Sequence, residues 1–178
     1  MLFRSRPGDK LASYLVLGAA LSHLLDLPWT LQVVGDGSAR AAVVAALAPL
    51  GERVRWTGMT PADNIARHLA AADLYVWPAI NEAFGMAMLE AQASGLPVVA
   101  GHSGGVAAVV THQITGLLVP PADPAAFAAA VRRLLVDPEL RQRLGAAARQ
   151  RVVAEHDLPT AAAHLGAVLD RLRPAHAA

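Results

Sequence analysis

Two glutamates bracket the stretch Glu82-Ala83-Phe84-Gly85-Met86-Ala87-Met88-Leu89-Glu90, and their spacing is the strongest chemical signal in the chain. Ahead of them runs apolar Leu74-Tyr75-Val76-Trp77, ending at Pro78. Behind them come Ser94-Gly95-Leu96-Pro97 and a second apolar run, Val98-Val99-Ala100. This order reads as buried strand, loop, short helix, glycine stop and buried strand. In such a unit the loop leaving the first strand, and the helix N-terminus after it, face a crevice at the carboxyl end of the sheet. One carboxylate on the loop and one two turns into the helix suit a substrate dense in hydroxyls. The free helix amides near Phe84 and Gly85 suit an anion or a bound oxygen. Carboxylates for hydroxyls beside amides for phosphate is the chemistry a nucleotide-sugar requires.

The elements that must position these groups can be read along the chain. Pro7-Gly8-Asp9 signals a turn and a helix start, with Lys10 opening a helix to about Leu25. Trp29 to Val34 reads as a strand ending in Gly35-Asp36-Gly37. Ser38 caps a helix to about Ala48, and Val54-Arg55-Trp56 forms a short strand. Thr60-Pro61 starts a further helix, with Thr60 as cap and proline at the first helical position. After the glutamate unit come Gly104-Gly105, a short helix, and the strand Leu117-Leu118-Val119. Helices over 124–136, 138–154 and 159–172 follow. Strands alternating with helices, and strands apolar throughout, predict an α/β fold: a doubly wound, mostly parallel Rossmann-like sheet with helices on both faces. Residues 1–178 read as one such domain. Only Met1-Leu2-Phe3 precedes the Pro7-Gly8 turn, which has the chain starting inside or just after its first strand.

Composition narrows the function classes. With 178 residues, 54% hydrophobic and 16% charged, the chain has the makings of a globular domain with a full core. A net charge of +1 and the lack of a basic block argue against nucleic acid as a partner. Without cysteine there is neither a disulfide framework nor a thiolate metal site. His156 and His164 lack metal-ligand spacing, so neither a metal nor a cofactor is expected. Mean hydropathy is +0.38, yet the run Leu11–Leu25 falls short of the ~20 apolar residues a membrane span needs. Met1-Leu2-Phe3-Arg4 breaks at Pro7-Gly8, which does not fit a signal peptide. The expected location is cytoplasmic or membrane-peripheral, without a transmembrane segment.

The ordered landmarks Gly8-Asp9-Lys10, Val34-Gly35-Asp36-Gly37, Val54-Arg55-Trp56-Thr57-Gly58, Ala72-Asp73-Leu74 and Pro78 continue with the Glu82…Glu90 segment. Gly95 to Ala100, Gly104-Gly105 and Thr115 to Pro120 complete the set. From about Arg6 to Glu155 the chain thereby resembles the C-terminal, donor-binding half of a group 1 glycosyltransferase, family 4, a retaining enzyme of the GT-B fold. The resemblance implies that Glu90 binds the ribose hydroxyls. Glu82 would contact the donor sugar, with the amides of Phe84, Gly85 and Met86 beside it. Lys10 and an upstream arginine would neutralise the diphosphate leaving group. Met59 would lay its backbone against the base, and Gly35 and Gly37 would leave room for the nucleotide.

Physical chemistry agrees with these roles. Cleaving a sugar–diphosphate bond develops negative charge on phosphate, which fixed cations and amides stabilise without a metal. Each residue has a competing reading. Glu82 and Glu90 could be solvated carboxylates and Lys10 a surface lysine, although a cation opposes the dipole at a helix start. Trp29, Trp56 and Trp77 read as core or rim packing, and His102, facing the crevice, as structural. The family pattern has arginine five residues before the lysine. Ser5 stands there instead, so Arg6 or Arg4 takes the role. Pro78-Ala79 replaces Pro-Ser, and Ala107-Ala108 replaces Pro-Glu. Taken together, the expected partner is a nucleotide-sugar, with transfer to an acceptor dependent on an N-terminal acceptor-binding domain or subunit that these residues do not supply. The alternatives are a stand-alone nucleotide-sugar-binding module or non-catalytic remnant and, less well matched, an epimerase or phosphorylase of related fold.

Overall fold

A computed structural model describes residues 2–4 and 7–172. Among these residues six strands and eight α-helices follow in the order β1 (Leu2–Arg4), α1 (Asp9–Ser22), β2 (Leu31–Asp36), α2 (Arg40–Leu47), β3 (Val54–Gly58), α3 (Ala62–Ala70) and β4 (Tyr75–Trp77). The second half runs α4 (Met86–Ala93), β5 (Val98–Gly101), α5 (Val106–Val109), β6 (Gly116–Val119), α6 (Pro124–Val136), α7 (Pro138–Glu155) and α8 (Leu158–Leu172). A 3₁₀ stretch, Ala48–Arg53, links α2 to β3. Every strand pair is parallel, as the alternation predicts. The sheet is laid in two halves, however, β1-β2-β3 and β4-β5-β6, with no ladder between β1 and β4 among the described residues.

One apolar core serves both halves. Leu17, Leu24, Val33 and Val43 are buried on one side of it, and Val98, Val106, Phe127 and Leu134 on the other. Every residue of β5 is buried, which is why it reads as a continuous apolar run rather than an alternating one. Tyr14 of α1 meets Trp77 of β4 edge to face, with ring centroids 5.2 Å apart, so α1 packs directly on the second half. Arg132 of α6 grips Asp26 through both guanidinium nitrogens at 2.7 Å and also donates to the His23 carbonyl. Arg53 donates to the carbonyls of Leu25 and Leu27 and lies over Trp29, fixing the chain reversal before β2.

Helix starts follow the sequence where an aspartate precedes proline. Asp123 accepts from the Ala126 amide and Asp137 from the Leu140 amide, each at 2.9 Å, with proline in the first helical position behind them. Two expected caps fail. Helix α2 begins at Arg40 with Ala39 rather than Ser38 in the cap position, because the Gly37 amide is taken by the Asp36 carboxylate and Arg40 N–H bonds the Gly37 carbonyl, making a turn first. Helix α3 begins at Ala62 with Pro61 in the cap position, so Thr60 lies outside it and proline precedes the first helical residue. Helix α8 touches α7 but buries none of its described residues, and Leu158, Leu165, Val168 and Leu169 stay exposed.

Candidate active site

The glutamate unit folds as the pattern predicts, with one correction. Helix α4 starts at Met86, so Glu90 sits about one turn into it rather than two. Gly85 caps the helix at φ 100°, a left-handed conformation that suits glycine, and no side chain caps the terminus. The first amides, at Met86 and Ala87, are therefore left for a ligand or water. Glu82 lies on the loop between β4 and α4, as expected.

What the sequence could not show is the company Glu82 keeps. Its Oε2 accepts from Lys10 Nζ at 2.5 Å, joining the start of α1 to the β4–α4 loop across 72 residues. The same oxygen accepts from the Trp77 indole N–H at 3.2 Å, and Lys10 Nζ lies 5.4 Å from the Trp77 ring centre. Trp77 thus packs in the core as predicted, but its N–H also aims the Glu82 carboxylate. Two further bonds tie the same elements: Asn81 Nδ2 donates to Asp9 Oδ1 at 3.1 Å, and the Ile80 amide donates to Ser13 Oγ at 3.0 Å. Ala79 and Asn81 hold positive φ angles of 58° and 48°, a local strain that these bonds maintain.

Behind the loop, Gly104 and Gly105 pack backbone against backbone. A Cβ on Gly104 would lie 2.1 Å from the Glu82 carbonyl oxygen, and one on Gly105 would lie 2.2 Å from that of Ala83. The Gly105 amide donates to the Glu82 carbonyl at 3.2 Å. The Gly-Gly pair is thus the floor on which the glutamate loop rests. His102 is exposed beside it, and its amide is held by the Val119 carbonyl at 2.8 Å.

The remaining predicted residues lie at strand ends on the same carboxyl edge. Gly35 is the fifth residue of β2 rather than part of a loop, with φ 120°, and Gly37 follows Asp36 at the strand end. Met59 follows β3 and is 84% exposed. Phe84 and Met86, at 40% and 58% exposure, leave apolar surface around the start of α4. No bond joins Gly35, Gly37 or Met59 to the Lys10–Glu82 pair in the described structure. Arg6 lies outside the described residues, as does the side chain of Arg4.

Electrostatics connect the two glutamates. Burial raises the Glu90 carboxyl above its ordinary range. The Tyr75 phenol is pushed up first by burial and then by the charges of both Glu82 and Glu90, so both carboxylates act on one buried ring. Among the described residues no group of three or more histidine, aspartate or glutamate side chains is placed to hold a metal ion.

Comparison with known proteins decides the family. Residues 12–151 match the family described as glycosyl transferases group 1. The chain belongs to the group 1 glycosyltransferases. A D-inositol 3-phosphate glycosyltransferase of Kineococcus radiotolerans is 37% identical over 171 residues, covering 85% of this chain and 39% of that protein. Sucrose-phosphate synthase from Thermosynechococcus elongatus superposes with a TM-score of 0.82 at 32% identity, over 92% of this chain and 43% of that one. Anabaena HepE, solved in complex with UDP and glucose, gives a TM-score of 0.79 at 25% identity, over 94% and 46%. This group 1 glycosyltransferase chain spans less than half the length of each. None of its described helices is long and apolar enough to cross a membrane.

Proposed function

We propose that this chain is the donor-binding domain, over residues 1–178, of a retaining, metal-independent glycosyltransferase. It takes a nucleoside-diphosphate sugar and works with an N-terminal acceptor-binding domain or subunit. The observation that carries the reading is the Lys10–Glu82 pair beside the uncapped start of α4, held against Trp77. A cation, a hydroxyl-binding carboxylate and free amides converge there, the set a sugar–diphosphate bond calls for.

The pair implies a sequence of events. Lys10 and Glu82 neutralise each other in the pair. A diphosphate draws the Lys10 ammonium, and the freed Glu82 carboxylate turns to sugar hydroxyls while keeping its bond from Trp77. As the sugar–oxygen bond breaks, the electron pair stays with the phosphate, where Lys10 and the α4 amides meet the growing charge. Glu90, farther along the helix, takes the ribose hydroxyls. Arg6 is the second cation in this reading, and Gly35, Gly37 and Met59 border the nucleotide. A second domain closing over the crevice would exclude water from the charge-separated state.

Titration calorimetry with UDP-, GDP- and ADP-sugars tests the proposal. Saturable binding that is lost in Glu90→Ala and in Lys10→Met supports it, and no binding to any nucleotide sinks it. Turnover by the isolated chain with an acceptor would overturn the requirement for a second domain.

A further inference from the structure

Lys10 is the one lysine of the chain, and every other member of its 15 lysine and arginine residues is arginine. The difference matters at this position. An arginine facing Glu82 would grip both carboxylate oxygens with a planar fork, whereas an ammonium is a point charge on a flexible stem and passes readily between anions. Lys10 Nζ meets one oxygen, Glu82 Oε2, at 2.5 Å. Its side chain keeps 40% of its exposure and that of Glu82 keeps 18%, so the cation is the free-moving member of the pair.

The carboxylate has no easy retreat. Asp9 and Asn81, the residues directly before Lys10 and Glu82, are bonded to each other at 3.1 Å, and the Ile80 amide is bonded to Ser13 Oγ at 3.0 Å. The Gly105 amide holds the Glu82 carbonyl, and the Trp77 indole N–H holds Oε2 at 3.2 Å. When the ammonium swings away, Glu82 therefore stays in place, served by one neutral donor. An ionised carboxylate offers about four acceptor sites, so a half-buried one in that state is poorly satisfied.

We propose that Glu82 is an internal competitor for Lys10, and that this competition makes the site select a sugar-bearing diphosphate over the free nucleoside diphosphate. The inference rests on the donor-domain reading given above. A free nucleoside diphosphate takes the ammonium and brings Glu82 only a second negative charge. A sugar-bearing one sets hydroxyl donors against the carboxylate as it takes the cation, so both members of the opened pair find new partners. Once the sugar has passed on, the balance reverts. Glu82 loses its hydroxyls, reclaims Lys10 and loosens the nucleoside diphosphate that remains. A purely structural clasp between α1 and the β4–α4 loop would act differently, since its loss weakens every ligand of the crevice alike.

Calorimetry on the wild type and Glu82→Gln tests this. The variant keeps an oxygen for the Trp77 N–H but no charge for Lys10. The probes are UDP, GDP and ADP, each beside its sugar-bearing form: UDP-glucose, GDP-mannose and ADP-glucose. Glu82→Gln should bind the free nucleoside diphosphate about two- to fivefold more tightly, the range set by a partly exposed ion pair. Its preference for the sugar-bearing form should shrink by at least the same factor. Unchanged or weaker binding of the free form by the variant, beside a wild type that binds it, overturns the inference and leaves the donor-domain reading standing. Absence of nucleotide binding by both proteins overturns the two together. A second measurement needs no variant, because the single lysine gives one ε-carbon signal in lysine-labelled wild type. At saturation with the free nucleoside diphosphate that signal should lie between its positions in the protein alone and with the sugar-bearing form. Coincidence of the two saturated positions overturns the inference.

Discussion

A pair that must open to admit a diphosphate has to be weak, and its strength can be worked out before it is measured. The Lys10 side chain keeps 40% of its exposure and that of Glu82 keeps 18%. A fully exposed ion pair couples by about 0.2–1 kcal/mol, whereas breaking a buried one costs about 3–5 kcal/mol. Water reaching Lys10 puts this pair near the lower range, at about 1 kcal/mol, despite its 2.5 Å separation. The double-mutant cycle uses Lys10→Met, which keeps the aliphatic stem near Trp77. Its partner Glu82→Gln keeps an oxygen to accept from the indole N–H. Urea unfolding of the wild type, both single variants and the double variant gives the coupling directly. The expected value of about 1 kcal/mol corresponds to about 2–4 °C in Tm for a chain of this size. A coupling of about 3 kcal/mol or more would make the pair a structural clasp and refute its role as a ligand-ready site. A coupling of zero would mean that the two groups do not meet in solution.

Other perturbations have equally definite outcomes. Gly105→Ala forces a methyl to within 2.2 Å of the Ala83 carbonyl oxygen, where only backbone can move. Stability should fall by about 1–3 kcal/mol in urea unfolding, and an unchanged midpoint would contradict the packing. Arg53→Met keeps the stem over Trp29 but strands the Leu25 and Leu27 carbonyls, so a loss of about 1–3 kcal/mol is expected. Burial raises the Glu90 pKa, so its contribution to stability is present below the ordinary glutamate value and is lost as pH rises through the shifted one. Glu90→Gln should therefore match the wild type at about pH 3.5 and exceed it slightly at about pH 7.5. The side chain remains largely exposed, so the gain is small, and a difference that shrinks with rising pH would reverse the assignment.

The strand–loop–helix unit around Glu82 and Glu90 was legible through an apolar run and Gly95 as a stop, whereas the helix start was read too early because Gly85 caps it through its left-handed backbone and no capping side chain marks it. The parallel fold class was legible for the same reason. The Lys10–Glu82 bond was not, since residues 72 apart meet only through tertiary packing. Trp77 was read as packing because an apolar run hides an indole N–H that must still find an acceptor. Ser38 and Thr60 have the right chemistry for caps, but neighbouring bonds and Pro61 moved the helix starts past them. The division into two half-sheets depends on which strands meet, a non-local choice that propensity does not encode.

Helix α1 is fastened at both ends to the half of the molecule that carries the glutamates. Near its start, Asp9, Lys10 and Ser13 hold the loop of Ile80, Asn81 and Glu82. Just past its end, His23 and Asp26 are gripped by Arg132. Along its length Gly18 lets α2 approach so closely that a Cβ would lie 2.3 Å from the Ala46 carbonyl oxygen, locking it to the other half as well. With no strand ladder between β1 and β4 among the described residues, this helix is a principal link between the halves. The helix that places the Lys10 ammonium on the Glu82 carboxylate is therefore the same one that packs both halves together, so the site and the core share one support.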